Sequence, residues 1–431
     1  MKVSGQRPFI SDKSLEARTD YTIEIWNSEN GLPQNTIVSI CQTHDGFLWM
    51  STTNGLVRFD GNTFNVYDSS NTMGFQGSCF PTLFEDRKGK LWLINQEGKL
   101  LIYERGVFEM RSIKPNENVI ITSICENEKG ECLVSTYDNK VYLFVNDQFR
   151  LLFILPDKTN RINKIECSEE GLLYIGTQKG LFKYEANNLS EVEELKGMQI
   201  SQLKRCKNVG VCVREKNRLF RIRKGKTNEY QFPDTLSTDL GLRDFLFESE
   251  NRLWVAYRNG LALIEHNSCR FYDTNSGLSS DLTTVIYKDM ENNMWTGTAG
   301  GGLNKMKLKA FNHYSKKEGL ANDPVGCILQ LQDKSMLISN ECEGLNKLDH
   351  EKITTPFKKH FGCIWSLFEE KNGDLWIGTY GQGIFRYKDG NFSQYTTDNN
   401  LSGNIVFAVF QDNTGLIWIG TDNGLCTFKN G

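Results

Sequence analysis

A unit of about 41 residues recurs ten times along this 431-residue chain, and that period constrains the fold more than any other feature. Its clearest copy is Asp45-Gly-Phe-Leu-Trp-Met-Ser-Thr-Thr-Asn-Gly-Leu-Val-Arg-Phe59. The pattern returns as Gly373-Asp-Leu-Trp-Ile-Gly-Thr-Tyr-Gly-Gln-Gly-Ile-Phe-Arg-Tyr387 and as Gly415-Leu-Ile-Trp-Ile-Gly-Thr-Asp-Asn-Gly-Leu425. Aligning on the tryptophan gives Trp49, Trp92, Leu133, Tyr174, Cys212, Trp254, Trp295, Leu337, Trp376 and Trp418, with spacings between 38 and 43 residues.

Alternation and turn signals divide each unit into four short strands. In the first unit these fall at Thr36–Thr43, Phe47–Thr52, Leu56–Phe59 and Thr63–Tyr67. They are separated by Asp45-Gly46, by Thr53-Asn-Gly55, where Asn-Gly suits positive φ, and by Asp60-Gly61. Four antiparallel strands at this period predict an all-β chain of β-propeller blades. The Gly-His and Trp-Asp marks of WD-type propellers are absent, and no 3.6-residue periodicity supports helical repeats. The composition agrees, with 38 glycines and 49 aromatics against 8 prolines. A tryptophan at one place in every blade is read as packing between adjacent sheets. The glycine two residues on (Gly176, Gly297, Gly378, Gly420) is read as allowing close approach of neighbouring backbones. One Asp per turn is too few oxygens for calcium, so the Asp-x-x-Gly turns are read as turn chemistry.

The repeat is out of phase with the chain ends. Tyr21-Thr-Ile-Glu-Ile-Trp26 occupies the place held in other units by Phe64–Tyr67, Phe271–Tyr272, Phe311–Tyr314 and Phe392–Tyr395, that of the fourth strand. The last unit ends after its third strand. Such an offset lets the N-terminal strand complete a final blade and remove two exposed edges. Ten blades exceed the usual range of about four to eight per ring. The expectation is a polar segment 1–20, a seven-bladed propeller over 21–315, and three blades of a second, incomplete propeller over 316–431. One closed ten-bladed ring is the alternative. The seven-plus-three division predicts that the natural protein continues past Gly431.

The net charge of −3 is spread over both signs with no basic stretch, which argues against a nucleic-acid partner. No apolar run reaches the roughly 18 residues of a membrane span, and residues 1–20 lack the apolar centre of a signal peptide. The 12 cysteines are scattered singly, without a CxxC pair or a nearby His, and most lie in apolar runs. They are read as small buried hydrophobes, and free thiols in this number fit a reducing or anaerobic setting.

The segments Gly31-Leu-Pro-Gln-Asn-Thr-Ile-Val-Ser-Ile40, Asp45–Leu56 and Gly373–Thr379 resemble the two-component regulator propeller repeat. The resemblance spans essentially the whole chain after Asp20. It is close in units 1, 7, 9 and 10, partial in 2, 4, 6 and 8, and poor in 3 and 5. It implies the extracytoplasmic sensing region of a membrane-bound regulator, commonly two seven-bladed rings ahead of a β-sandwich, a membrane helix and a kinase or cyclase. It further implies an oligosaccharide ligand and membrane attachment through parts outside this chain. A homodimer of the full-length protein is also expected. The twelve cysteines sit awkwardly with a periplasmic location.

No motif for chemistry appears. His44, His266, His313, His350 and His360 are dispersed, outside any HExxH or Cys/His pair, and His44 is read as solvent-facing beside a turn. There is no G-x-S-x-G elbow, and Gly300-Gly-Gly302 lies in a turn between strands rather than at a helix start. No cofactor, metal or catalytic residue is expected. Propellers bind where loops converge at the channel ends, and here the turns between second and third strands vary most. Tyr137, Tyr257, Arg258, Tyr380 and Gln382, with Asp138, Gln178, Lys179 and Glu341 beside them, are the candidates for a polar ligand. The expected function is a non-enzymatic sensor or binding module. A propeller lyase or glycoside hydrolase and a protein-interaction scaffold are the alternatives.

Overall fold

A computed structural model describes residues 21–429, apart from 74, 76, 115–116, 234–235, 237–239, 267 and 351; the N-terminal segment 1–20 lies outside the described residues. The repeats fold as the alternation dictates. Blade 1 is Ile37–Gln42, Leu48–Thr52, Gly55–Phe59 and Phe64–Tyr67, each strand antiparallel to the next. Ten such sheets follow one another, nine of four strands and one of three. Even the fifth unit, without its tryptophan, forms a full blade with Cys212 buried at the aligned position.

The aligned residue of each blade packs into the core shared with the next. Trp49 lies among Phe80, Leu91 and Leu93 of blade 2, and Trp92 among Ile121, Ile124 and Val134 of blade 3. Leu133, Tyr174 and Cys212 make the same forward contact with blades 4, 5 and 6, as Trp254 does with blade 7. Burying an indole removes a large apolar area from water, so this contact dominates the cohesion between blades. The indole N–H then needs an acceptor. Five tryptophans find one on a carboxylate six residues earlier: Asp86 for Trp92 (2.8 Å), Glu248 for Trp254 (3.0 Å), Asp289 for Trp295 (2.7 Å), Glu370 for Trp376 (2.6 Å) and Asp412 for Trp418 (2.8 Å). In Asp86 and Asp412 the other carboxylate oxygen accepts two backbone N–H groups of the turn. These turn acids are therefore packing residues as well as turn formers.

The chain contacts divide at Lys309/Ala310 into two units. The first holds seven blades and closes on itself. Tyr21–Trp26 pairs with Leu303–Leu308, Tyr21 opposite Leu308 and Trp26 opposite Leu303, and is the fourth strand of blade 7. Trp295 of blade 7 packs with Ile37, Met50 and Phe59 of blade 1. The first strands of successive blades lie side by side around the axis, blade 1 against blade 7 included. A closed ten-bladed ring is therefore overturned: the N-terminal strand seals the seventh blade, not the tenth. Phe311–Tyr314, expected as a fourth strand, is not one, because Tyr21–Trp26 fills that edge.

The second unit holds blades 8–10. The last comprises Val406–Gln411, Ile417–Thr421 and Gly424–Phe428. Both units open on the same short motif. A capped 3-10 turn (Ser28–Asn30 behind Asn27, Lys316–Glu318 behind Ser315) ends in Gly31 or Gly319 at positive φ, followed by buried Leu32 or Leu320. The expected role of the glycine two residues after the aligned position holds at Gly176, Gly297 and Gly378, where the close neighbours are side chains, and not at Gly420, whose nearest neighbour is Ala408 at 3.9 Å. A Cβ on Gly297 would sit 2.5 Å from Cβ of Ile37, and one on Gly378 would sit 2.7 Å from Val406 Cγ1.

Because Trp295 is buried at the ring seam and Trp418 is only half-buried, the two tryptophans differ in energetic weight. Trp295→Ala should lower unfolding stability of the first unit by about 3–5 kcal/mol, and Trp418→Ala should cost the second unit roughly half that or less. Denaturant melts of the two variants check this ordering.

Candidate ligand-binding site

One end of the first unit's channel carries a cavity of about 460 Å³ over blades 2–5. Three kinds of position build it. Gln96, Tyr137 and Gln178 come from the turn after the second strand of blades 2, 3 and 4, and Ile120, Arg161 and Gln199 from just ahead of the first strand of blades 3, 4 and 5. Thr122, Asn163 and Ser201 come from the start of those first strands. Backbone bonds lace the positions together, since Tyr137 N–H donates to Ile120 O (2.9 Å) and Gln178 N–H to Arg161 O (3.1 Å). The rim is rigid because each turn is tied to the strand that precedes it.

The Arg161 guanidinium lies over the Tyr137 ring, 3.9 Å from its centroid. Among the described residues it is the only charged group lining the cavity. The Asn163 amide donates to Ile200 O at 2.8 Å. Further along the same strand Lys164 and Glu166 are half-buried, and their loss of solvent pushes the lysine amine down and the glutamate carboxyl up from their ordinary values. Beside them Lys204 pairs with Asp244 at 2.6 Å, and Asp244 also accepts the Ile286 N–H at 3.0 Å.

A wider groove of about 550 Å³ beside blade 5 carries Glu215, Lys216 and Arg218. Arg218 is already clamped by both oxygens of Glu229 at 2.7 Å, so its donors are committed within the protein. The channel-mouth cavity is the better candidate.

Of the residues singled out from the sequence, Tyr137 and Gln178 line the cavity. Asp138 is bonded to Thr136 and Lys140, and Lys179 is paired with Asp157 at 3.3 Å. Tyr257 is a correction. It packs against the core between blades 5 and 6, and burial pushes its hydroxyl up to about 12. Arg258 is exposed on blade 6 and does not line the cavity. Tyr380, Gln382 and Glu341 belong to the second unit. There Tyr380 (52% exposed) stacks at 5.1 Å on Trp365 (47% exposed), which also meets Phe407 at 5.5 Å. The Gln382 carbonyl accepts from Gln394 at 2.9 Å. His44 is exposed as expected, with Nδ1 2.7 Å from Glu85, whose hydrogen bond and charge raise its pKa.

The cysteine reading needs a second correction. Cys342 and Cys363 form a disulfide between the turn of blade 8 and the start of blade 9. They meet because Ile364 N–H donates to Glu341 O at 3.2 Å, lacing the two blades at that point. Seven of the other cysteines are buried thiols, as read from the sequence. A non-reduced digest should yield a peptide joining Cys342 to Cys363. Finding both alkylated without reduction would contradict the pairing.

The profile of the two-component regulator propeller matches residues 31–54, 360–381 and 400–423, in blades 1, 9 and 10. These three segments are similar to the two-component regulator propeller repeat. A histidine kinase, P4, of Formosa agariphila is 25% identical over 189 residues, 38% of this chain and 14% of that protein. Among solved structures, the extracellular domain assigned to the hybrid two-component system BT3049 of B. thetaiotaomicron superposes with a TM-score of 0.61. It is 21% identical, over 95% of this chain and 65% of that one. Virginiamycin B lyase of Staphylococcus aureus superposes with a TM-score of 0.55 at 15% identity, over 67% of this chain and 100% of that one. At these identities the solved structures establish the propeller fold alone. This chain spans 65% of the hybrid-system chain, and its match to the kinase covers 14% of that protein.

Proposed function

We propose that this chain is the ligand-sensing propeller region of a membrane-bound two-component regulator, and that it binds an oligosaccharide at the channel mouth of blades 2–5. The observation that carries the reading is the cavity itself. It is a concave site of ligand size, lined by amides, hydroxyls, an aromatic ring and isoleucines, on a frame that the rest of the ring holds rigid. Sugar rings present an apolar C–H face and a belt of hydroxyls, which suit Tyr137 and the surrounding amides. The relatives named as a histidine kinase and as the extracellular domain of a hybrid two-component system support a sensor over an enzyme.

The Cys342–Cys363 disulfide supports an extracytoplasmic location, since such bonds persist in oxidising compartments. Among the described residues no helix is long and apolar enough to cross a membrane. In this reading the membrane tie and the kinase output are carried by other parts of the protein. Blades 8–10 belong to a second ring, because Phe311–Tyr314 stands ahead of the Ser315 cap as Tyr21–Trp26 stands ahead of the Asn27 cap.

A thermal-shift screen of the chain against oligosaccharides tests the proposal. At about 100-fold excess over Kd a bound sugar adds about 2.7 kcal/mol, a rise of several degrees. The shift should vanish in Tyr137→Ala/Gln178→Ala and persist in Tyr380→Ala. If no oligosaccharide shifts the melt, the carbohydrate reading fails.

A further inference from the structure

The cavity at the channel mouth carries a charge that the protein does not use. Arg161 is half-buried, and among the described residues its guanidinium has neither an ion-pair nor a hydrogen-bond partner; its one close neighbour is the face of Tyr137. Nearby cations are spent differently, Lys179 on Asp157 and Arg218 on Glu229. No Asp or Glu among the described residues lines the cavity. Stacking on an aromatic face leaves the edge N–H donors of a guanidinium free and fixes their plane, the geometry that receives a carboxylate or sulfate through paired hydrogen bonds. Holding a cation half out of water without a counter-ion has a desolvation cost, and an arriving anion would offset it.

Around that charge the lining is neutral. The side-chain amides of Gln96, Gln178 and Gln199 have no partner among the described residues, while Ile120 and Ile162 supply apolar surface. We propose that the site selects acidic oligosaccharides, with the carboxylate or sulfate of one sugar paired to Arg161, its ring against Tyr137, and its hydroxyls on the glutamine amides. This rests on the oligosaccharide-sensing reading above and narrows it from sugars in general to charged ones. Arg161 acts as the specificity residue, and binding weakens with salt as an ion pair at a partly open site does.

The test is calorimetric titration of the full 431-residue chain with three sets of probes. These are oligogalacturonates, sulfated galactose oligosaccharides that carry no carboxylate, and neutral sugars comprising methyl-esterified oligogalacturonates with xylo- and manno-oligosaccharides. Binding is expected from one of the two acidic sets, and which one tells carboxylate from sulfate. Neutralising the bound sugar, by esterification or desulfation, should weaken it about tenfold or more, and Arg161→Gln should do the same. Arg161→Lys should recover part of the loss, because it keeps the charge and gives up the stacked fork. The melting temperature of Arg161→Gln should match that of the parent, separating lost binding from lost folding. A neutral sugar that binds the parent and Arg161→Gln alike would overturn the anion assignment and leave the sensor reading standing. If no saccharide of any set binds, both fail.

Discussion

Cohesion here rests on one contact made over and over: a large side chain on the second strand of a blade, buried against the next blade. At five of the six repeat tryptophans a carboxylate six residues earlier takes the indole N–H (Trp49 has Thr43 there instead), and in Asp86 and Asp412 the same carboxylate closes the turn before it. Local turn chemistry and inter-blade packing are thus set by the same pair of residues. Asp412, held by Thr414 and by the Trp418 indole, has its carboxyl pulled down to about 2, the expected result of several donors converging on the charged form. Blades lacking the tryptophan keep the contact with Leu133, Tyr174, Cys212 or Leu337 and dispense with the indole acceptor.

A contact that links each blade only to its neighbour says nothing about how many blades make a ring. Closure is therefore carried by a different feature, the strand Tyr21–Trp26, which supplies the missing edge of blade 7 while Trp295 fills the seam against blade 1. The join brings together residues nearly the whole unit apart in sequence. It also places an aromatic cluster at the seam, where Trp26 meets Trp295 at 5.5 Å and Phe59 at 5.4 Å. A rigid ring then gives the turns above the channel a fixed geometry. That is why one cavity can be lined there by residues from four different blades.

Blade architecture was legible in the sequence because tryptophan, glycine and turn residues recur at the places where packing and positive φ require them. The phase of the chain showed that the N-terminal strand would close a blade. It could not show which, since blades 7 and 10 offer similar edges. The site was only half legible. Tyr137 stood out as a large aromatic on a turn, but Arg161 sits just ahead of a first strand, where Ile120, Gln199 and Cys363 also occur and nothing in the pattern marks one as functional. Tyr257 looked equivalent to Tyr137 from its turn and is instead the half-buried last residue of a strand, packed against the core between blades 5 and 6. The disulfide was hidden for a related reason: Cys342 and Cys363 belong to different blades and are joined only by the lacing between them.

Closure at the seventh blade is the claim on which the division of the chain and the location of the site both depend. It can be tested by cross-linking. Glu24 lies directly opposite Lys305 in blade 7, and Thr427 is the counterpart of Lys305 in blade 10. Directly opposed strand residues are close enough for a disulfide. Glu24→Cys/Lys305→Cys should oxidise to a bond identifiable by peptide mapping, and Glu24→Cys/Thr427→Cys should not. The reverse result would mean that the N-terminal strand completes the tenth blade, and it would contradict the seven-bladed ring.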